Sequence, residues 1–404
     1  MKTKKILIIS HHFWPETFLI NEIAIKIKKF NRKVTVITGL PNYPKGEIFK
    51  NYNKIKSIKY ENYKGVKIIR FPILPRNSGS FFDLVFNYLS YLISGIYYLR
   101  NLNLNGVFDH IFIYSTSPIT TALLGIYLKK KYKKKITLWI QDLWPESIES
   151  TGYIKNKFFL YLISLIVKYI YKQSDNLVAQ SKGFKKNIRK YSNKKVKIVE
   201  NSHFILENKR NKIPNKINYL LQSKFCVTFA GNIGKAQSIT TILEACRNIE
   251  SYKNIHVILI GGGSEVKNVK NLIKKYNINN ISIFGPYSSE LAFKILKKSK
   301  ASLLSLKKNN IFSMTIPNKF QTYLCAGKPI LVSANGEVSK LTKINKVGLT
   351  SPAENFLKLS KNIIKLYKMS SNETKNIKYN CLRYYKNSFD INKQTKKLLN
   401  IFEL

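Results

Sequence analysis

Short apolar runs alternate with amphipathic stretches along the first half of the chain. The runs at 5–10, 33–38, 66–71, 110–115, 136–141, 176–181 and 196–201 are rich in Ile, Val and Leu and end at polar residues. Continuous apolar runs of this length mark strands buried on both faces. The stretch from Phe18 to Phe30 has helical apolar spacing instead. A polar segment at 206–222, containing Pro214 and many Asn and Lys, interrupts the pattern and reads as a linker. A second set of runs follows at 225–230, 256–260, 281–284, 301–306 and 329–332. Strands separated by helices predict mostly parallel sheets with helices on both faces. The expected fold is therefore α/β, with two Rossmann-like doubly wound domains at 1–205 and 223–387 and a basic helix at 388–404. Two such domains facing each other form a cleft at the carboxyl ends of their strands, where ligands bind.

Two apolar stretches, 81–99 and 158–171, are longer than the strands and rich in aromatics; Lys155, Lys157 and Lys172 flank the second. We read each as a two-sided helix covering a sheet. The alternative places them in a membrane interface, with aromatics at the boundary and Lys at the headgroups. No uninterrupted apolar run approaches the ~18 residues of a transmembrane helix. The basic start, Lys2 to Lys5, is followed by too short an apolar run for a signal peptide.

Composition adds one unusual term. The 404 residues include 70 basic and 21 acidic side chains, a net charge of +49. Such a charge favours anionic membranes or nucleic acid, although abundant Lys, Asn, Ile and Tyr also suit an AT-rich genome. Zinc-finger spacing, RNP-type aromatics and a basic arm are missing from the sequence, which argues against nucleic acid. Cys226, Cys246, Cys325 and Cys381 lack metal or redox spacing and read as free thiols of a reducing cytosol.

Candidate chemistry lies at strand ends. The segment Ile316-Pro317-Asn318-Lys319-Phe320-Gln321 opens a helix that Gly327 closes before the next strand, with Pro expected at the first helical position. Free backbone N–H groups and Lys319 there suit a diphosphate. An ordinary helix start with a solvated Lys accounts for the same residues. Gly231-Asn232-Ile233-Gly234-Lys235-Ala236-Gln237 joins a strand to a helix, and its glycines allow close approach of a phosphate or simply make a turn. Gly261-Gly262-Gly263 and Gly285-Pro286-Tyr287 are further strand-end turns. In the first domain, His11, His12, Trp14 and Glu16 follow the first strand, and Gln141-Asp142-Leu143-Trp144-Pro145-Glu146 follows another. Two loop histidines exposed to solvent, and N-cap roles for Asp142 or Glu146, are the plain readings. Tyr114 to Pro118 forms a third edge loop. The sequence holds no Asp-x-Asp suited to a metal-bound diphosphate, no Cys/His zinc cluster and no Walker A pattern.

These segments together resemble family-4 retaining glycosyltransferases of the GT-B fold, most closely bacterial fucosamine transferases, which share a GNIGKAQ-like loop and an IPNKFQ-like helix. The resemblance implies a UDP-sugar donor, held by Gly231, Asn232, Gly234, Lys235, Gln237, Gly262, Tyr287, Ile316, Pro317, Asn318, Lys319 and Gln321. It implies Asp142, His12 and Glu146 as catalytic candidates, and His11, Trp14, Glu16 and Trp144 against the acceptor. The family's loop Arg and Lys fall on Asn232 and Gln237, so Lys319 is the expected replacement cation and Lys235 a weaker one. Its paired glutamates fall on Ser313 and Gln321, which suggests a modified donor such as UDP-N-acetyl-L-fucosamine. By the same resemblance the acceptor is a saccharide on undecaprenyl diphosphate, and the product enters O-antigen or capsule synthesis at the inner face of the cytoplasmic membrane. No cofactor and no metal are expected, anionic membrane is a partner, nucleic acid is not, and the last helix crosses back to the first domain. A sugar-nucleotide epimerase of the same architecture and a non-catalytic, membrane-associated sugar-nucleotide-binding protein are the alternatives.

Overall fold

The structure, a computed structural model, describes residues 4–152, 154, 156–202 and 212–402. It divides into two units, 1–201 with 391–404, and 202–390.

The first unit runs β1 (Lys5–Ser10), α1 (Leu19–Lys29), β2 (Lys33–Gly39), β3 (Lys59–Tyr63), β4 (Val66–Phe71), α2 (Phe81–Arg100), β5 (His110–Ser115) and α3 (Thr121–Tyr132). It continues with β6 (Lys135–Ile140), α4 (Glu146–Thr151), α5 (Lys157–Gln173), β7 (Asn176–Ala179), α6 (Lys182–Ile188) and β8 (Val196–Ile198). The second unit runs α7 (Asn215–Ser223), β9 (Phe225–Ala230), α8 (Ile239–Asn248), β10 (Ile255–Ile260), α9 (Val266–Lys275), β11 (Ile281–Phe284), α10 (Ser289–Lys298) and β12 (Ala301–Ser305). It ends with α11 (Asn310–Met314), α12 (Asn318–Ala326), β13 (Ile330–Ser333), α13 (Glu337–Ile344), β14 (Gly348–Ser351), α14 (Phe356–Tyr367) and α15 (Ser371–Ser388). Helix α16 (Ile391–Ile401) belongs to the first unit.

Among the described residues, the first sheet has the order β3-β4-β2-β1-β5-β6-β7-β8 and the second β11-β10-β9-β12-β13-β14. Both are parallel except for the edge pair β3–β4, which is antiparallel. The order reverses beside β1 and beside β9, which places the loops after these strands at topological switch points.

Burial on both faces explains the continuous apolar runs. In the first unit, Ile6, Ile8, Phe112 and Trp139 pack with α1 and with Leu398 and Phe402 at the chain's end. The opposite face carries α3, where a Cβ on Gly125 would meet Ile113 Cδ1 at 2.4 Å. In the second unit, one face packs with α10, α12 and α15 and the other with α8, α9 and α14.

Several expectations need correction. Residues 206–211 of the expected linker lie outside the described residues, and 215–222 belongs to α7, whose Ile217 and Leu221 enter the second core. A polar helix with two apolar anchors looks like a linker in composition. The segment 388–404 is not one helix, since α15 ends at Ser388 and α16 begins at Ile391. The apolar stretches assigned to core packing are largely exposed. Phe82, Phe86 and Ile93 on α2, and Phe158 and Tyr161 on α5, each expose more than half their surface. Cys226, Cys246 and Cys381 are buried free thiols, and Cys325 is half-buried.

Candidate functional site

In the second unit, two glycine turns meet at the ends of β9 and β10. Gly231 N donates to Ile260 O (2.8 Å), and Ile233 N donates to Gly262 O (2.7 Å). Gly231 has φ +136° and Gly261 φ +150°, backbone that favours glycine. A Cβ on Gly261 would sit 1.9 Å from Gly231 O. The glycines therefore let two loops zip together backbone to backbone.

Helix α12 abuts these turns. Pro317 is its N-cap in extended backbone, one position earlier than expected, and no side chain caps the helix. Tyr323 fixes the helix to the end of β9: its hydroxyl accepts from Ala230 N (3.0 Å) and donates to Ala230 O (3.2 Å). One turn back, Lys319 lies against Gly231, where a Cβ would meet its Cε at 2.4 Å. Its ammonium stands 3.9 Å from the Phe229 ring centroid and donates to Gln237 Oε1 (3.3 Å). Burial lowers its pKa to about 7.

These elements and α10 enclose a cavity of about 410 Å³. Of the residues expected at a donor site, Gly231, Gly262, Tyr287, Asn318 and Lys319 line it. Gln237 touches it through Lys319. Gly234 is buried, Lys235 is exposed, and the Asn232 side chain lies beside the Gly234 and Gly263 backbones. Ile316 is buried in the core, with Pro317 beside it. Gln321 does not face the cavity. Its side chain is fully buried, and neither amide atom has a hydrogen-bond partner. The helical repeat explains this: positions 318, 319, 322 and 323 share one face, and 321 points about 60° to the other side of 318. Thr322 is the polar residue that lines the cavity in its place. Ala292, Phe293 and Leu296 of α10 also line it and were missed, because an apolar helix face carries no chemical signature.

In the first unit, the loops after β1 and β6 carry the candidates. Both histidines are buried, so the exposed-loop reading is wrong. Asn87 Nδ2 donates to Leu74 O, which leaves Oδ1 to accept from His11 Nε2 (3.0 Å). The His11 proton therefore sits on Nε2, while Nδ1 is buried without a partner. Burial, followed by the neighbouring His12, pushes the His11 pKa well down. His12 Nδ1 donates to both Glu16 oxygens (3.0 and 3.1 Å), which leaves Nε2 as the ring nitrogen available to an acceptor.

Glu16, expected against the acceptor, is instead a buried anchor. Its oxygens accept from Phe13 N (3.2 Å), Asn42 N (3.0 Å) and Tyr43 N (2.8 Å) as well as His12. Trp14 stacks on Tyr63 (4.8 Å), and its carbonyl accepts from the buried Arg70. Asp142 is not an N-cap, since Pro145 occupies that position of α4. Its Oδ2 accepts from Ser117 N (2.7 Å), and burial raises its pKa. Trp144 Nε1 donates to Ser117 Oγ (3.1 Å), and Tyr88 lies between Trp144 (6.4 Å) and His11 (5.8 Å). His11, Asp142 and Trp144 are thus linked through Tyr88 and Ser117, and His12 meets His11 edge-on (4.7 Å). Glu146 turns to α6 and the segment after it, where its Oε1 accepts from Asn187 (2.6 Å) and Tyr191 (3.0 Å). Those partners give it a structural task that the catalytic assignment did not foresee.

The fold agrees with that of known proteins. Residues 209–383 match the family described as glycosyl transferases group 1. An uncharacterized glycosyltransferase of Methanocaldococcus jannaschii, MJ1069, is 24% identical over 415 residues, covering 100% of this chain and 99% of that protein. Among solved structures, E. coli trehalose-6-phosphate bound with UDP-2-fluoro glucose superposes with TM-score 0.73 at 11% identity, covering 99% of each chain. Anabaena HepE in complex with UDP gives 0.70 at 12% identity, covering 99% of this chain and 100% of that one. The chain has the α/β GT-B fold of two Rossmann-like, parallel-sheet domains. The matched segment falls within the second unit, and together with the similarity to MJ1069 it supports a glycosyltransferase function.

Proposed function

We propose that the protein transfers an N-acetylamino sugar from a UDP-sugar, with N-acetyl-L-fucosamine the first donor to test, onto a saccharide carried by undecaprenyl diphosphate. The reaction retains anomeric configuration, needs no metal, and serves O-antigen or capsule synthesis at the inner face of the cytoplasmic membrane. The observation that carries the donor assignment is the cavity at Gly231, Gly262 and the start of α12, with Lys319 against Gly231. Its uncapped helix start and one buried ammonium suit the leaving diphosphate. Among the described residues, no group of three or more His, Cys, Asp or Glu could hold a metal. In this reading Lys319 and the helix start stabilise the leaving group. In the first unit, His12, oriented by Glu16, and Asp142 are the acceptor-side candidates. Retention then proceeds by front-face displacement, with the departing diphosphate accepting the acceptor's proton.

The test is thermal shift with UDP, GDP, ADP, TDP and CMP in EDTA, followed by turnover of UDP-N-acetyl-L-fucosamine with a lipid-linked acceptor. A UDP-selective rise that Lys319→Ala removes supports the donor site. No rise with any nucleotide sinks it. Conversion of the UDP-sugar to an isomer without acceptor establishes the epimerase reading instead.

A further inference from the structure

Helix α2 is built inside out. Its buried residues are Asn87, Tyr91, Gly95 and Leu99, a stripe at intervals of four that is half polar or small. Asn87 serves His11 and Leu74 O, and Gly95 admits α3, since a Cβ there would meet Leu124 Cδ2 at 2.9 Å. The opposite face is exposed and apolar: Phe82, Phe86, Leu89, Ile93 and Tyr97, each 50–69% accessible. Their spacing of four, three, four and four residues keeps them on one side along about 22 Å of helix. Between Asp83 and Arg100 the helix carries no charged side chain.

The patch continues beyond α2. Helix α3 packs against both α2 and α5, so the three helices lie side by side. On α3, Leu123 and Tyr127 are half-buried and lead to exposed Lys130, whose Nζ donates to Tyr169 OH of α5 (3.4 Å). On α5, Phe158, Tyr161, Leu162, Leu165, Ile166 and Tyr169 are exposed at 40–64%. With ~150–250 Å² for a whole aromatic side chain, the exposed apolar area is on the order of 1,000 Å². The largest apolar patch of an ordinary monomer is roughly 300–600 Å².

Charge identifies the occupant. Exposed Arg100, Lys157, Lys168 and Lys172 border the patch, on a chain of net charge +49. A second copy would bring the same positive rim against itself. An anionic bilayer complements both features, because it takes apolar side chains at the acyl boundary and Lys at the headgroups. Among the described residues no helix is long and apolar enough to cross a membrane, so this is a surface-lying arrangement.

We propose that the exposed faces of α2 and α5, joined across α3, form a docking surface for an anionic lipid bilayer. This deepens the membrane location proposed above, and it rests on residues outside the donor cavity.

The test is co-sedimentation of the full chain with sucrose-loaded vesicles of phosphatidylcholine, alone or with a third phosphatidylglycerol. The variants are Phe82→Ser/Phe86→Ser/Ile93→Ser on α2 and, independently, Tyr161→Ser/Leu165→Ser/Tyr169→Ser on α5. Wild type should sediment with the anionic vesicles and much less with phosphatidylcholine alone. Each variant should lose at least about tenfold in partitioning, with melting temperature and UDP-induced shift unchanged. Failure of wild type to bind anionic vesicles overturns the proposal. So does wild-type binding by both variants, which would assign attraction to charge alone. A wild-type dimer that the α2 variant dissolves, without vesicle binding, would give the face to a second copy. UDP binding is read separately, so either proposal can fail alone.

Discussion

Lys319 makes UDP affinity depend on pH in a definite direction. Burial holds its pKa near 7 in the ligand-free protein, against ~10.4 for an ordinary Lys. A diphosphate beside Gly231 needs the charged ammonium and raises that pKa when bound. The bound state therefore takes up a proton wherever free Lys319 is neutral. A nucleotide phosphate whose last pKa is about 6 is already ionised above pH 7 and adds no slope there. If only the ammonium form binds, about half the free protein is competent at pH 7 and about 1% at pH 9, an affinity loss of about 50-fold or about 2.3 kcal/mol. Isothermal titration calorimetry at half-unit steps from pH 6 to 9, in two buffers of different ionisation enthalpy, should show this fall and an uptake approaching one proton at pH 8.5. Lys319→Arg, permanently charged, should flatten the profile, and Lys319→Met should bind weakly at every pH. A wild-type dissociation constant constant within about twofold from pH 7 to 9 would refute the reasoning, as would an unchanged slope in Lys319→Met.

The same shift predicts that the ligand-free protein gains stability as pH rises from about 7 toward ~10, because the unfolded chain holds the Lys319 proton more tightly. Lys319→Met should raise the melting temperature at pH 6.5 and reduce that gain, as read by scanning calorimetry. Gly261→Ala, whose Cβ would collide with Gly231 O, should cost at least ~2 kcal/mol in urea melts and abolish the UDP shift. Gly262→Ala, whose Cβ would meet its nearest neighbour 3.7 Å away at Pro286, should cost less than ~1 kcal/mol. Glu16→Ala strands three backbone N–H groups and His12 and should cost ~3 kcal/mol of stability. His12→Ala should fold and bind UDP normally while turnover falls at least ~100-fold, because the acceptor loses a group that positions it.

The buried strands were legible because both faces of a parallel sheet demand apolar residues, and 5–10 or 225–230 leave little alternative. Strand β3 was missed because Lys59–Tyr63 alternates half-buried and exposed positions at an antiparallel edge. Strand β14, Gly348–Ser351, has only Leu349 to announce it. Within the site, glycines and Lys319 could be named from local spacing, since a loop's backbone needs are written beside it. Gln321 shows the limit: one residue of helical rotation moves a side chain from cavity to core, and Thr322 takes the place at the cavity. The burial of His11 depends on Asn87 and Tyr91, more than seventy positions away, and no local pattern announces it. The exposed face of α2 was misread for a related reason. Apolar spacing says that a surface will be covered, and does not say by what.

The return of α16 to the first unit has a consequence for the order of synthesis. Leu398 and Phe402 complete a core begun by Ile6 and Ile8, and His110 stacks on Phe402 at 4.7 Å. A ribosome delivers the whole second unit between these two halves. The first sheet must wait, with one apolar face uncovered, while its neighbour is made and becomes able to fold. The second unit, continuous in sequence, is then the earlier of the two to reach a finished core, and a nascent chain stopped at Asp390 would hold one complete unit and one still open.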